Sequence, residues 1–454
     1  MARRFDGRTR YLTLGVLAVA GLVALALSPS KSHSEVPAAT PPVAGRVVAA
    51  ASPRVGNAGC SATACHGGPA PSLTAPIDAH AWLGSATHWQ ARDPHTRAYD
   101  ALELPLAADV MARLKVPNPT GGFLKATESD LCLACHTDPR LVGQPGVPVA
   151  VLAQGIGCET CHGHAERYLR DHTTWRTPAE RAAGYAATGM APLYDLGRRA
   201  AACAGCHVGA PAEPGVSAVR RDMNHDMIAA GHPRLDGFDF AEAQLRLTPH
   251  WSEKDRTRPG QPPRGPDAEW RTWLVGRAAC GEAAARLLAD RASHGVWPEL
   301  AESDCRGCHH TVPGPERPVA AGKLGAMRWQ SAWPLTGGTL AEASELASLA
   351  AWMSANRAPA PAEVSRRATA AAGQLAAWRD ELSHDDGDLR PLARRLFPPS
   401  AAGLDAAAVL SGLAALERSA GTRTPALRIA VGRFRVTPGD ANSAIDEALR
   451  DARR

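Results

Sequence analysis

Four short segments share one order of residues: Cys132-Leu-Ala-Cys135-His136, Cys158-Glu-Thr-Cys161-His162, Cys203-Ala-Gly-Cys206-His207 and Cys305-Arg-Gly-Cys308-His309. Two thiols at this spacing can add across the vinyl groups of a haem, and the histidine that follows reaches the iron from the same side. The chain has 11 Cys and 17 His among 454 residues. Chance would give roughly 0.01 copies of the motif from that stock. A fifth, wider variant is Cys60-Ser-Ala-Thr-Ala-Cys65-His66. Zinc ribbons and thioredoxin-type sites also use paired cysteines, but neither needs the histidine that follows each pair. For the wide motif the competing reading is a local disulfide between Cys60 and Cys65. The expected cofactor is therefore haem c, five groups, covalently attached, with His66, His136, His162, His207 and His309 as proximal iron ligands. Cys280 has no partner and reads as a buried structural thiol on an apolar helix face.

The elements that must hold these groups are helical. Asp93-Pro94 is a good start for a helix running through Leu102 and broken near Pro105. Ala165 to His172 reads as a short helix, Asn224 caps another ending near Gly231, and Asp267 caps a longer one through Arg291. Arg258 to Pro266 is Pro-rich and reads as loop. Val364, Ala368, Ala371, Leu375, Trp378 and Leu382 recur at intervals of four and three, an amphipathic stripe. Leu404 to Leu416 and Ala441 to Leu449 are similar. Aromatic residues make up only 5% of the chain, thin for a core of this size, so porphyrins are expected to supply apolar surface in the haem-bearing part. The fold class expected is mainly α: a compact multihaem cytochrome c domain with haems on loops between helices, plus a C-terminal Ala-rich helical region.

Arg3, Arg4, Arg8 and Arg10 precede an uncharged, mostly apolar run from Tyr11 to Leu27 that contains Ala24-Leu25-Ala26, a small-residue cleavage pattern. This is an export signal, either cleaved or kept as an N-terminal anchor. The expected divisions are 1–27 signal peptide or anchor, 28–55 flexible linker, 56–318 pentahaem domain and 319–454 helical C-terminal region. The location expected is periplasmic, with attachment to the inner membrane if the anchor is kept. The formal net charge is +5. Without residues 1–35 it falls to about +2, and five haems with ionised propionates bring it to about −3. The chain lacks a basic run with interleaved aromatics, so nucleic acid is not an expected partner.

The ordered series of a first attachment motif, Trp89 with His95-Thr-Arg-Ala-Tyr, Leu131-Cys-Leu-Ala-Cys-His136, Gly157-Cys-Glu-Thr-Cys-His-Gly163 with His172 in Arg-Asp-His, and Cys203-Ala-Gly-Cys-His207 resembles the multihaem cytochrome c-554 family. The resemblance covers roughly residues 56 to 235. Planctomycete-type multihaem proteins look similar through Asn224 to Leu235 and the terminal Cys-x-x-Cys-His-His. The resemblance implies a helical cluster of stacked haems that passes electrons. It also implies that His172 caps the haem of His66, His95 the haem of His162 and a later histidine the haem of His207, and that the haem of His136 has no strong distal ligand. The widened first motif, the added fifth motif and the C-terminal helices depart from the family.

Histidines outside the motifs outnumber the irons. His225 and His232 share a helix face if the helix persists past Gly231, and they are assigned to the fifth haem and to the haem of His207. His310 competes with them. His80, His88, His164, His250, His294 and His384 are assigned surface or hydrogen-bonding roles. Histidine on both sides of most irons suits one-electron transfer between redox partners, a periplasmic cytochrome or a membrane quinol-oxidising complex. The alternative is a reductase of a small nitrogen or sulfur species at a five-coordinate haem of His136, with Thr137, Asp138, Arg140 and Lys125 near in sequence. Carriage is the stronger reading, and no catalytic residue is assigned.

Overall fold

A computed structural model describes residues 54–69, 81–235, 238–247, 249–251, 265, 267–303, 343–356, 358–396, 406–420, 427, 430 and 442–452, all within the unit Val43–Arg454. The signal or anchor, most of the linker, His80, nearly all of the 258–266 loop, and Cys305, Cys308, His309 and His310 lie outside the described residues. The helices longer than a single turn are α1 (Ser85–Arg92), α2 (Pro105–Leu114), α3 (Asp130–His136), α4 (Cys158–His162), α5 (Pro178–Thr188), α6 (Leu196–His207), α7 (His225–Ala229), α8 (Phe240–Arg246), α9 (Ala268–His294), α10 (Ser344–Ala355), α11 (Pro361–His384), α12 (Ala406–Ala420) and α13 (Asn442–Ala452). Among the described residues there is no strand, only isolated bridges such as Ala210 with Arg221. The fold is mainly helical.

One large core sits at α9. Trp270 and Trp273 are buried and stacked, ring centroids 5.0 Å apart. Their indole N–H groups donate to the Leu389 carbonyl at 2.8 Å and to Ser411 Oγ at 2.9 Å, so neither ring carries an unmet donor into the interior. The stripe of α11 is buried throughout, from Val364 to Leu382, and packs along α9 with Gly281 in close contact with Leu375. Residues of α6, α8, α10, α12 and α13 complete the same core. Asp267 stands at the start of α9, but its carboxylate does not cap the helix. It accepts from Arg271 at 2.8 Å and from the Leu389 N–H at 3.1 Å.

The segment before α6 is built differently. Asp93 accepts from the His95 N–H at 2.9 Å, and with Pro94 it starts a 3-10 turn, Pro94–Arg97, followed by another at Asp100–Glu103. A regular α-helix begins only at Pro105, where the missing N–H costs nothing. Ala165 to His172 likewise forms short 3-10 turns. A small cluster of Tyr99, Leu102, Met111, Ala126, Cys132, Leu133 and Val142 is the apolar core here.

Candidate haem sites

Three attachment motifs sit on helices rather than in the loops expected from sequence: α3, α4 and α6 end on His136, His162 and His207 respectively. The reason is geometric. Positions i, i+3 and i+4 fall on one helix face, so both thiols and the imidazole point the same way. The wide motif reaches a similar end by a turn, because the His66 N–H donates back to the Cys60 carbonyl at 3.2 Å and the Cys65 N–H to the Ala62 carbonyl at 2.8 Å. Cys60 and Cys65 are both free thiols, not a disulfide.

Histidine rings meet in pairs. His66 and His172 lie with centroids 6.2 Å apart and planes inclined by 14°. His95 and His207 are 6.0 Å apart at 81°, and His162 and His250 are 6.4 Å apart at 72°. A metal–imidazole nitrogen bond is about 2.0 Å, so two rings on opposite sides of one ion have centroids about 6 Å apart. The spacings fit an iron between each pair. Among the described residues no three or more His, Cys, Asp or Glu gather as a metal site of their own, so such a pair would need the four equatorial nitrogens of a porphyrin.

The Nδ1 atoms agree with this fit. His66 Nδ1 faces the Trp82 carbonyl at 2.9 Å, His95 Nδ1 the Asp93 carboxylate at 2.7 Å, His136 Nδ1 the Ala98 carbonyl at 2.6 Å and His172 Nδ1 the Tyr168 carbonyl at 2.8 Å. Tying Nδ1 to an acceptor fixes the ring and turns Nε2 outward as the ligand atom, as metal-bound histidines do. Burial pushes His162, His207 and His250 down to about 4, which keeps their rings neutral and able to ligate. His95 is pushed up by the Asp93 carboxylate.

The thiols of separate motifs also approach one another. The thiols of Cys135 and Cys206 are near neighbours, as are those of Cys60 and Cys158, and Cys132 Sγ lies 3.7 Å from Met111 Sδ. Porphyrins attached at these thiols would be close neighbours. Two buried carboxylates knit the motifs together. Glu159, between the cysteines of the third motif, accepts from Arg54 Nε at 3.1 Å and from the N–H groups of Val55, Gly56 and Ala165 at 3.0, 2.7 and 2.7 Å. Asp138 accepts from Arg140 Nε at 3.0 Å and faces His164 Nε2 at 3.1 Å. Arg140 also donates to the Glu159 carbonyl.

The structure places several expected residues differently. His172 meets His66. His95 meets His207, where the resemblance implied the haem of His162, and His250, read as a surface or hydrogen-bonding residue, is the ring that meets His162. His232 is not on a common helix face with His225, because α7 stops at Ala229 and Gly231 turns the chain with φ 107°. The His225 N–H donates to Glu299, just ahead of Cys305 in the chain. His88 is buried, its Nε2 without a protein partner among the described residues, while His164, His294 and His384 face Asp138, Asp290 and Asp195. Cys280 is buried against Ala204 and Val208. Spacing alone could not assign His250 to His162, Asp93 to the His95 ring or Asp138 to His164, since loops bring these groups together.

Helices that end on Cys-x-x-Cys-His, two of them with a second imidazole facing the motif histidine, are the arrangement a helical c-type cytochrome would use. Residues 80–163 match the family model described as cytochrome c554 and c-prime. Over that stretch the chain is similar to the cytochrome c554 family, a likeness that supports a c-type cytochrome with covalently bound haem and a part in electron transfer. No curated protein and no solved structure matches the chain.

Proposed function

We propose that the chain is an exported pentahaem cytochrome that carries electrons between redox partners through haems ligated mostly by two histidines. The observation that carries this reading is the set of facing imidazoles at 6.0 to 6.4 Å. When bound, each haem supplies an iron that exchanges one electron. His66 with His172, His207 with His95 and His162 with His250 are the assigned axial pairs. Filling both axial positions leaves no room for substrate and keeps the coordination alike in both oxidation states, which favours rapid exchange. The neighbouring thiols of Cys135 and Cys206, and of Cys60 and Cys158, support closely spaced haems along which an electron can pass.

The group proposed for the alternative, a reductase site, is differently engaged. Arg140 is bound to Asp138 and the Glu159 carbonyl, and Thr137 Oγ1 donates to the Leu152 carbonyl at 2.8 Å. These contacts favour carriage over catalysis. Export rests on the arginines and apolar run before Ser28. Among the described residues no helix is long and apolar enough to cross a membrane. The proposed partners remain a periplasmic cytochrome or a membrane quinol-oxidising complex.

The test is mass spectrometry and low-temperature electron paramagnetic resonance of the purified holoprotein. Five added haem masses and predominantly low-spin signals are expected. His172→Ala and His250→Ala should each convert one low-spin haem to high-spin, and retention of every low-spin signal in both variants would overturn the axial assignments.

A further inference from the structure

Two buried arginines of α9 show the usual arrangement of an interior cation. Arg271 donates to Asp267 at 2.8 Å and Arg291 to Glu302 at 2.6 Å, so each has a counter-charge. Arg221 is equally buried, 7% exposed, and among the described residues no carboxylate holds it. Its Nε has no hydrogen-bond partner, and its Nη1 lies 3.9 Å from Cys206 Sγ, in the fourth attachment motif. The acid next to it in the chain and the two that line the same groove are engaged with other arginines. Asp222 accepts from Arg291 at 3.2 Å, Glu213 from Arg286 at 3.1 Å, and Glu282 from Arg379.

The side chain is fixed where it stands. The Arg221 N–H donates to the Ala210 carbonyl and the Ala210 N–H to the Arg221 carbonyl, each at 2.9 Å. Gly205, between the two cysteines of the motif, leaves α6 bare on the side where the guanidinium lies: a Cβ there would stand 3.4 Å from Nη1. The cation therefore rests on the attachment segment itself. The thioether edge of a c-type haem is the edge opposite its propionates, so a haem joined to Cys206 brings no counter-charge of its own to Arg221.

We propose that Arg221 raises the reduction potential of the haem of His207, acting as a fixed, buried positive charge at its thioether edge. A ferric centre carries one more positive charge than a ferrous one, so a neighbouring cation disfavours the oxidised form. Shielded from solvent, the effect is little screened by salt. Asp93 pulls the same iron the other way, through the ring of His95 that faces His207 at 6.0 Å. The inference rests on the proposed haem-bearing reading. It goes beyond it by giving one haem a potential set by two opposed charges, neither of them a ligand.

The experiment is spectropotentiometry of the full holoprotein, with covalent haem counted by mass and ligation followed by electron paramagnetic resonance. Arg221→Met, similar in length and uncharged, should lower one haem so that its reduced-to-oxidised ratio at a fixed potential falls about tenfold, or about 59 mV for one electron. Arg221→Lys should retain most of the wild-type value. Haem mass and low-spin signals should be unchanged in both, and the shift should persist at high salt. If Arg221→Met takes up no haem, Arg221→Gln is read in the same way. Combined with Asp93→Asn, the loss of Arg221 should return that haem toward its wild-type potential. No shift in the neutral variants, with haem mass retained, would overturn the proposal, as would equal shifts in Arg221→Lys and Arg221→Met, which would make the effect one of packing. Two different haems moving in opposite directions in the double variant would overturn the assignment to the haem of His207. A wild-type chain without covalent haem mass would instead defeat the underlying reading, and so would a His95→Ala variant with no high-spin haem.

Discussion

The segment from Arg54 to Arg221 and the bundle around α9 solve the same folding problem in opposite ways. The bundle buries Trp270, Trp273, Leu274, Leu375 and their neighbours in one continuous protein core. The earlier segment has a few apolar side chains about Met111 and Leu133, many single turns, and charged groups locked inside: Glu159 and Asp138 are 1% and 0% exposed. A core of that size stabilises little by itself. The difference teaches that the bundle completes its own interior, whereas the earlier segment would need a bound porphyrin to complete its interior. The fourth motif joins them, since α6 packs Leu196 and Ala200 into the bundle and then ends on His207.

The strongest way to break this contrast is to produce the chain where haem cannot be attached. Residues 54–195 should then be digested rapidly by protease while peptides from α9 and α11 stay protected; equal protection of both would end the comparison. Next, Trp270→Ala should cost the bundle about 3–5 kcal/mol by leaving a cavity, measured by denaturant titration of far-ultraviolet circular dichroism, with the Soret spectrum of the haems little altered. Asp138→Asn should act on the other region, costing about 3 kcal/mol at neutral pH because Arg140 loses its buried counter-charge. Burial works against the Asp138 charge, but His164 and Arg140 outweigh it and hold the carboxyl below its usual range. A carboxyl lowered in the folded state contributes stability above its unfolded value and loses it as pH falls toward the folded one. The gap between wild type and Asp138→Asn should therefore be constant from neutral pH to about 4 and close below it. Finally, Asp93→Asn should weaken the hydrogen bond to His95 Nδ1, making that imidazole a poorer donor. Spectropotentiometry should show one haem raised by about 60 mV, the equivalent of a tenfold change for one electron, with α9 and α11 unaffected.

Much of the bundle was legible in the sequence. The α11 stripe is a 3.6-residue pattern and is buried at every named position, and Asn224 caps α7 through Met227. Local pattern suffices where local geometry decides. Attachment cysteines belong to the same class, because their spacing encodes their chemistry. The axial partners are of another kind. His95 with His207 and His162 with His250 join residues far apart in the chain, and their meeting depends on irregular turns such as Pro94–Arg97 that carry no periodic signal. The expected shared face of His225 and His232 failed for a reason visible in one residue, since Gly231 takes a left-handed φ of 107° just past the end of α7 and turns the chain away from it.

Glu159 has a consequence for biogenesis. The groups it holds at Arg54, Val55 and Gly56 leave the ribosome well before the carboxylate itself does, since chains emerge from their N-terminus onward. Until the third motif arrives, the stretch bearing Cys60 and Cys65 lacks the acceptor that holds Arg54, Val55 and Gly56 in place. One acidic side chain thereby times closure of the earliest site to the arrival of a later one.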